Sequence, residues 1–445
     1  MNNTLLLKNI EPKQRNFSMD VMRGIAVLGI LLMNIPAFST HEFYLFWGDT
    51  VAGKLTTNGF IYKTAMLFGD GRMRGLFTLL FGAGLMLFIE NKKTNSIQVA
   101  DAYFRRMMWL LLFGMIDSYL LLWTGDVLFE YALCGIFIYA FRNLRVRYML
   151  MLAILSLGIY SYIGGRTFSE NKEKALEYKR VEALIQKGKT VSKEEKKSHD
   201  DWEVNVLGFH YPFSDTCMKL INKDIAERNE VHRAGYLDIL EKHGEETYEY
   251  HSQIFFTIFG ESFGTIMLGM ALFKFGFFSG RLRRRTYWLM AGIGIPVGLG
   301  LIALFMKLQV RSQAELWYCY SWRNFSIVYF EQSGRLLSTI GYASLIYLLA
   351  QMQALKKFLN LFANVGRMAL TNYIMQTVLS SLFFFGFGLG YFGEFQAKGL
   401  LAFVVCIWII QITYSTIYLR YFQMGPLEWL WKRLTYGKGF NKLQQ

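Results

Sequence analysis

The chain has 445 residues, of which 53% are hydrophobic and 17% aromatic, whereas only 18% are charged and five are proline. This composition, with its many apolar runs of about 20 residues, is typical of a polytopic membrane protein and excludes an ordinary soluble domain. The formal charge of +15 is explained first by the excess of lysine and arginine in cytoplasmic loops, so nucleic acid is not an expected partner.

The first apolar run, Val21–Phe38, predicts a retained transmembrane helix around which the other spans are organised. Arg23 and Asn34 return to nearly the same face of this helix, with Asn34 about 16 Å deeper in the membrane than Arg23. One face therefore carries a cation at the membrane surface and an amide well inside. A plain membrane anchor does not need that amide.

Further apolar runs predict the remaining spans. They lie at Met73–Glu90, Met107–Trp123, Asp126–Phe141, Tyr148–Ile163, Gln253–Phe277, Tyr287–Met306, Asn324–Ala350, Phe358–Phe387 and Gly399–Leu419. In the second span, Gly82 and Gly84 would let a neighbouring helix approach closely. The predicted fold is an all-α, polytopic transmembrane bundle of about ten spans. Its divisions are an N-terminal half (1–163), a charged helical insertion (164–252) and a C-terminal half (253–445).

The positive-inside rule orients this bundle. With the N-terminus in the cytoplasm, compact basic loops such as Ser279–Thr286 fall inside, and the insertion falls outside. Both termini are then cytoplasmic. All histidines lie outside or at the outer surface, so any histidine chemistry must work from the extracytoplasmic side. They are His41, His199, His210, His232, His243 and His251.

Ionisable side chains within spans mark either a site or a buried ion pair. Asp117 and Arg335 lie near mid-depth, Glu331 precedes Arg335 by one helical turn, and Glu261 lies about two turns into its span. In one interpretation, Asp117 or Glu331 pairs with Arg335 and holds helices in register. In the other, these side chains line a polar cavity in which a substrate is bound.

Other polar residues also have two interpretations. Asp126 either caps the fourth span or, with Glu130, presents carboxylates at the outer mouth of the bundle, where one acts as a base. Asn372 and Gln376 in the ninth span either bond neighbouring helices or contact substrate.

The cysteines contain no Cys-x-x-Cys pair, and we expect no metal site. Cys217 and Cys319 are both expected outside and could form a disulfide, whereas Cys134 and Cys406 lie in spans and are expected to be packing residues.

Five blocks of the chain, spread from Met19 to Gly437, resemble in order the signature blocks of the YeiB family, bacterial multi-spanning proteins classed as domain of unknown function 418. They are MDVMRGIAVLGILLMNI, RGLFTLLFGAGLML, LLWTGDVLFEYALCG, NVGRMALTNYIMQT and GPLEWLWKRLTYG. The resemblance implies the bacterial cytoplasmic (inner) membrane as the location.

The first block is also similar to the transmembrane acyltransferase superfamily, with matches at Asp20, Arg23, Gly24 and Asn34. In those acetyltransferases a histidine soon after the asparagine is the proposed catalytic group. His41 is the nearest equivalent, at a shorter spacing. Many YeiB relatives carry a histidine in the third span, where this chain has Asp117 in GMIDSYLLLW.

The leading hypothesis is therefore an acyltransferase. Acetyl-CoA or another acyl-CoA would bind from the cytoplasm near Arg23, and the acceptor would be an extracytoplasmic small molecule, lipid or glycan. His41 or Asp126 would take the acceptor proton, and Asn34 or Arg335 would stabilise the oxyanion.

Two alternatives remain. One is a secondary transporter with a midplane site of Asp117, Glu261, Glu331 and Arg335. The other is a membrane scaffold whose insertion binds a partner. The sequence does not indicate an oligomeric state.

Overall fold

The computed structural model describes residues 16–41, 57–90, 96–202, 215–314 and 322–437. In these ranges the secondary structure is helical, without β-strands. The helices are α1 (Phe17–Ser39), α2 (Thr57–Phe68), α3 (Arg72–Glu90), α4 (Ser96–Met115), α5 (Leu128–Ile138), α6 (Val146–Gln186), α7 (Lys193–Trp202), α8 (Asp215–His232), α9 (Tyr236–Thr257), α10 (Phe263–Phe275), α11 (Arg284–Ala314), α12 (Trp322–Ala350), α13 (Lys356–Arg367), α14 (Ala369–Phe384), α15 (Ala397–Tyr421) and α16 (Pro426–Tyr436).

The structure confirms the predicted all-α bundle. Within the described residues, five segments are long and apolar enough to cross a membrane: Phe17–Ser39, Thr57–Glu90, Val146–Ile163, Arg284–Leu308 and Ala397–Tyr421. The predicted fifth span, Tyr148–Ile163, agrees with the apolar segment Val146–Ile163, and α6 continues from there into the insertion as far as Gln186. The cysteine pair predicted at Cys217 and Cys319 lies outside the described side chains.

The bundle has two chemically different ends. At the first, which we call the basic end, Lys274 donates to the carbonyl oxygens of Arg142 and Leu144, at 2.7 and 2.9 Å. At the opposite end, the insertion end, α1 finishes against the loop after α14, where the amide of Gly393 donates to the Ser39 carbonyl at 2.7 Å. The insertion packs here, and Tyr236 donates to the Leu120 carbonyl at 2.8 Å.

Glycines set the closest helix crossings. A Cβ on Gly24 of α1 would fall on the carbonyl oxygen of Phe362, and one on Gly366 of α13 would fall on the carbonyl of Asp20. Gly82 of α3 likewise meets the backbone of Ile266 in α10, as its sequence predicted. Gly84 does not follow this prediction, because a Cβ there would meet nothing within 4 Å.

The predicted ninth span is two helices rather than one. The chain bends at Met368, whose φ of −115° and ψ of 34° interrupt the helix between α13 and α14. Glu428 of α16 occupies the gap, since its Oε1 accepts from the amide of Leu370 at 2.7 Å and its Oε2 from the Thr371 hydroxyl at 2.6 Å. The carboxylate thus caps the free N–H groups that open α14.

We expect Gly24→Ala and Gly366→Ala each to destabilise the protein by about 1–3 kcal/mol, because the added methyl overlaps a backbone carbonyl that cannot move alone. Thermal unfolding of the purified protein in detergent measures this loss. Gly292→Ala is the matched control, since a Cβ at this exposed glycine meets nothing within 4 Å. An unchanged midpoint in Gly24→Ala would contradict the close α1–α13 crossing.

Candidate functional site

A short helical hairpin places two acidic residues deep in the bundle. After α4 the chain makes a π-helical turn over Ile116–Leu120, which contains Asp117. It then turns back, and α5 begins at Leu128 just after Asp126. π-Helical turns are rare and are frequent at functional sites. The turn and the short helix together bring Asp117 and Asp126, both almost fully buried, to one place.

The carboxyl groups of Asp117 and Asp126 lie close enough to interact directly, and each has a buried Oδ1 without a hydrogen-bond partner. Two adjacent buried carboxyls repel each other when both are ionised, so the pair is suited to hold one proton. Asp126 Oδ2 accepts from the amide of Phe129 at 2.7 Å in the first turn of α5, in line with the capping interpretation of the sequence. Thr377 of α14 lies 3.4 Å from Asp117 Oδ2.

Tyr373 connects this carboxyl pair to the neighbouring turn. Its hydroxyl accepts from the indole N–H of Trp123 and from the amide of Val127, both at 3.2 Å. These two bonds hold the hydroxyl next to Asp126.

A second group of charges, which we call the arginine network, joins α3 and α12 to the turn before α3 and to the π-helical turn between α9 and α10. Arg335 lies 2.7 Å from Asp70 and 2.6 Å from Glu331. Arg74 lies 2.6 Å from Glu261, which is itself 4.0 Å from Arg335. Glu261 stands in another π-helical turn, Ile258–Ser262, between α9 and α10. The Glu331–Arg335 pair is one of the two that the sequence offered. Asp117 lies beside Asp126 instead.

The arginine network is not sealed. The side chains of Glu261, Arg335 and Glu331 are 12%, 17% and 19% exposed to solvent. Charged groups avoid contact with lipid tails. We therefore interpret their open side as a polar crevice between helices.

A cavity of about 210 Å³ leads from the basic end to Tyr373. Its mouth is cationic, with Arg23, Arg106 and Arg367, and its shaft is apolar. The shaft residues include Phe77, Leu80, Phe81, Leu85, Leu110 and Leu128. Gly84 also lines it, which explains why a Cβ there would meet nothing.

The C-terminal helix α16 forms one wall of the cavity mouth. The Trp431 indole donates to the Arg106 carbonyl at 2.9 Å, and the Arg106 guanidinium lies 3.8 Å from the Trp431 ring centroid. This stacking leaves the planar edge of the guanidinium available for an anion. Glu428 also lines the cavity, and burial raises the pKa of its carboxyl.

An aromatic layer separates the carboxyl pair from the insertion end. Trp123 stacks on Phe38 with ring centroids 4.2 Å apart, and Phe38 lies 6.4 Å from Phe385. On the far side, Phe385 contacts the rings of His232 and His243 at 5.4 and 5.6 Å. Burial lowers the pKa of His232 to about 3 and that of His243 to about 4.

The structure distributes the predicted site residues among these features. Asp117 and Asp126 form the carboxyl pair, Glu331 and Arg335 lie in the network, and Arg23 lines the cavity mouth. The remaining residues lie elsewhere.

His41 lies at the insertion end, where its Nε2 is 2.8 Å from Asp224. Asn34 is half-buried on α1. Asn372 is fully buried and donates to Ser415 of α15 at 2.9 Å and to the Val365 carbonyl at 3.2 Å. Among the described residues, no group of three or more His, Cys, Asp or Glu could hold a metal ion.

Several residues of the site were missed from the sequence. Asp70, Arg74 and Arg106 lie in or beside what look like loops or span ends, so topology alone explained their charge. In the sequence, Tyr373 looks like any other aromatic residue of a membrane span. Only the contacts between helices show that these four residues belong to the site.

Sequence comparison shows that the chain is similar to proteins without an assigned function. Residues 272–438 match the family described as "Protein of unknown function (DUF418)". The chain is 30% identical over 444 residues to the uncharacterized protein YeiB of Escherichia coli (strain K12), covering 95% of this chain and 96% of that protein. It is 28% identical over 434 residues to the uncharacterized protein YxaH of Bacillus subtilis (strain 168), covering 94% and 93%. No solved structure matches.

We expect Asp126→Ala to unfold at a lower temperature than Asp117→Asn. The alanine leaves the Phe129 amide without its acceptor, at a cost of about 1–3 kcal/mol. The asparagine at position 117 keeps that bond and removes the repulsion between two carboxyls, so its cost is smaller. Thermal unfolding of both variants at neutral pH tests this difference, and equal midpoints would contradict it.

Proposed function

We propose a function for this chain, which belongs to the DUF418 family of YeiB-like membrane proteins: it transfers an acyl group from a cytoplasmic acyl-CoA to an acceptor from the opposite side. The observation that carries the proposal is the cavity, which is cationic at its mouth, apolar along its shaft and closed by Tyr373, next to the buried carboxyl pair. An acyl-CoA has the same order of groups.

The donor would lie along the cavity with its phosphates at the mouth. By the positive-inside rule the basic end faces the cytoplasm, where acyl-CoA is found. Arg106 and Arg367 offer planar guanidinium groups, which suit phosphate better than point charges do. The pantetheine arm would occupy the apolar shaft, and the thioester would lie near Tyr373.

The carboxyl pair would supply both proton transfers of the reaction. The acceptor hydroxyl or amine attacks the thioester carbonyl carbon, the new C–O or C–N bond forms, and the C–S bond breaks. The charged oxygen of the pair takes the acceptor proton, and the proton already held is given to the leaving CoA thiolate. A pair with one shared proton is suited to this because it is acid and base at once.

The acceptor would reach the pair from the insertion end, beside the arginine network. Glu331 and Arg335 combine hydrogen-bond acceptors and donors at the edge of a crevice, which suits a hydroxyl-rich or amine-bearing acceptor. In this arrangement Asp126 is the preferred base. His41 would act only on the acceptor side, and Asn34 remains our expected oxyanion donor.

Purified protein in nanodiscs should bind acetyl-CoA or a longer acyl-CoA and release free CoA. We expect Asp126→Asn to retain donor binding while turnover falls by about 10²–10⁴-fold, the usual contribution of a general base. Calorimetry measures the binding, and a thiol reagent measures the released CoA. Unchanged turnover in Asp126→Asn, His41→Ala and Asn34→Ala would end this assignment.

Filling the shaft separates binding from chemistry. Gly84→Phe places a ring in the cavity where nothing stands within 4 Å of the Cβ, so we expect loss of both binding and turnover without a lower unfolding temperature. Gly292→Phe, at a glycine equally free of neighbours but outside the cavity, is the matched control. Tight acyl-CoA binding by Gly84→Phe would place the donor elsewhere.

A truncated donor tests the arginine mouth. We expect Arg106→Gln to weaken acyl-CoA binding about tenfold or more, because a hydrogen bond to a charged group contributes about 1.5–3 kcal/mol. Binding of S-acyl-pantetheine, which lacks the phosphates, should be unchanged in the same variant. An equal loss for both donors would indicate a distorted cavity rather than a phosphate contact.

The arginine network favours a transporter as the second candidate, since intramembrane charges often mark transport sites. Uptake into vesicles that follows a pH gradient and is lost in Asp117→Asn would support it. Acyl-CoA turnover with no such uptake would favour the first proposal.

A further inference from the structure

His232 and His243 form a histidine pair at the corner between α8 and α9. Their Nε2 atoms are 3.0 Å apart, and His232 Nδ1 lies 2.8 Å from the Arg228 carbonyl oxygen. That oxygen can only accept a hydrogen bond, so in the neutral ring of His232 the hydrogen is on Nδ1 and Nε2 carries none. His243 Nε2–H must then be the donor, which leaves its buried Nδ1 without a hydrogen-bond partner.

This arrangement tolerates only neutral rings. A proton added to Nε2 of His232 would set two N–H groups against each other. A proton added to Nδ1 of His243 would bury a donor with no acceptor. Either event removes the contact and leaves a charged ring in apolar surroundings.

Among the side chains that the structure describes around the pair, none supplies a free charge that would stabilise such a cation. The face of His232 lies on Phe392, with ring centroids 4.1 Å apart. The charged groups that face the pair are Arg228 from α8 and His41 from the end of α1, which are cationic or neutral. The neighbouring carboxylates are already engaged, Asp224 by His41 and Glu394 by Arg233.

The corner that carries this pair covers the aromatic layer. The Gly386 amide donates to the His232 carbonyl at 2.8 Å, and Arg233 donates to the Phe392 carbonyl at 2.6 Å. A Cβ on Gly386 would fall on the Arg233 carbonyl. The α8–α9 corner is therefore seated directly on the loop after α14, with Phe385 between it and the Phe38–Trp123 stack.

We propose that the α8–α9 corner is a lid over the insertion-end path to the carboxyl pair, and that protonation of the His232–His243 pair opens it. Only the identity of the molecule admitted rests on the proposed acyl transfer. The opening itself does not depend on it.

The direction of the pH effect follows from the depressed pKa values. Burial first, then the neighbouring cations, lower the pKa of His232 from 6.5 to about 3 and that of His243 to about 4. When the corner is undocked, His232 and His243 therefore bind protons at a pH at which they stay neutral in the docked corner. The docking stability is fully present above about pH 6.5 and is lost as the pH falls toward about 4.

Hydrogen exchange of the full-length protein in nanodiscs tests the lid, with exchange times scaled for the intrinsic rate at each pH. Between about pH 7.5 and about pH 5, we expect the protection of residues 228–245 and 383–394 to fall by about tenfold or more. The turn at residues 120–127 should lose protection with them. Both effects should be absent in His232→Gln/His243→Gln.

Two further variants keep the test decisive. His243→Phe retains an apolar ring against Phe385 and removes one of the two titrating groups, so its loss of protection between the two pH values should be smaller than that of the wild type. His199→Gln changes another insertion histidine, paired with Glu182, and should respond as the wild type does. Unchanged protection in the wild type, or an equal response in the histidine variants, would overturn the proposal.

Discussion

The hydrocarbon core of a membrane offers no water to buried polar groups, and this constraint organises the whole structure. The acids and arginines described within the bundle therefore need polar partners there. Arg335 meets Asp70 and Glu331, Arg74 meets Glu261, and Asp126 lies beside Asp117. The contacts of Arg335 and Arg74 join α12, α3 and the π-helical turn before α10, so these polar groups also fix the register of those helices.

The site is also irregular in its backbone. Asp117 and Glu261 each lie in a π-helical turn, a feature that is rare overall but frequent at functional sites. The glycines divide into two kinds. Gly24, Gly82 and Gly366 close helix crossings, whereas Gly84 keeps a shaft open. One residue type thus builds both the tightest and the emptiest parts of the bundle.

The sequence predicts the helical fold and part of the candidate site. Apolar runs indicate membrane helices directly, and Glu331 and Arg335 pair through a local i, i+4 spacing. The proximity of Asp117 and Asp126 depends on the buried turn between the π-helical segment and α5, and hydropathy does not show that this turn is buried. The break at Met368 is equally hidden, because the residue that stabilises it, Glu428, lies far along the chain in α16.

The continuity of α9 with α10 has a mechanical consequence. His243 lies on the same helical rod as Glu261, and eighteen residues of helix separate them by about 27 Å. The π-helical turn at Ile258–Ser262 stands immediately around Glu261, which contacts Arg74 and Arg335. A displacement of the outer part of the rod therefore meets no loop between the insertion and these ion pairs.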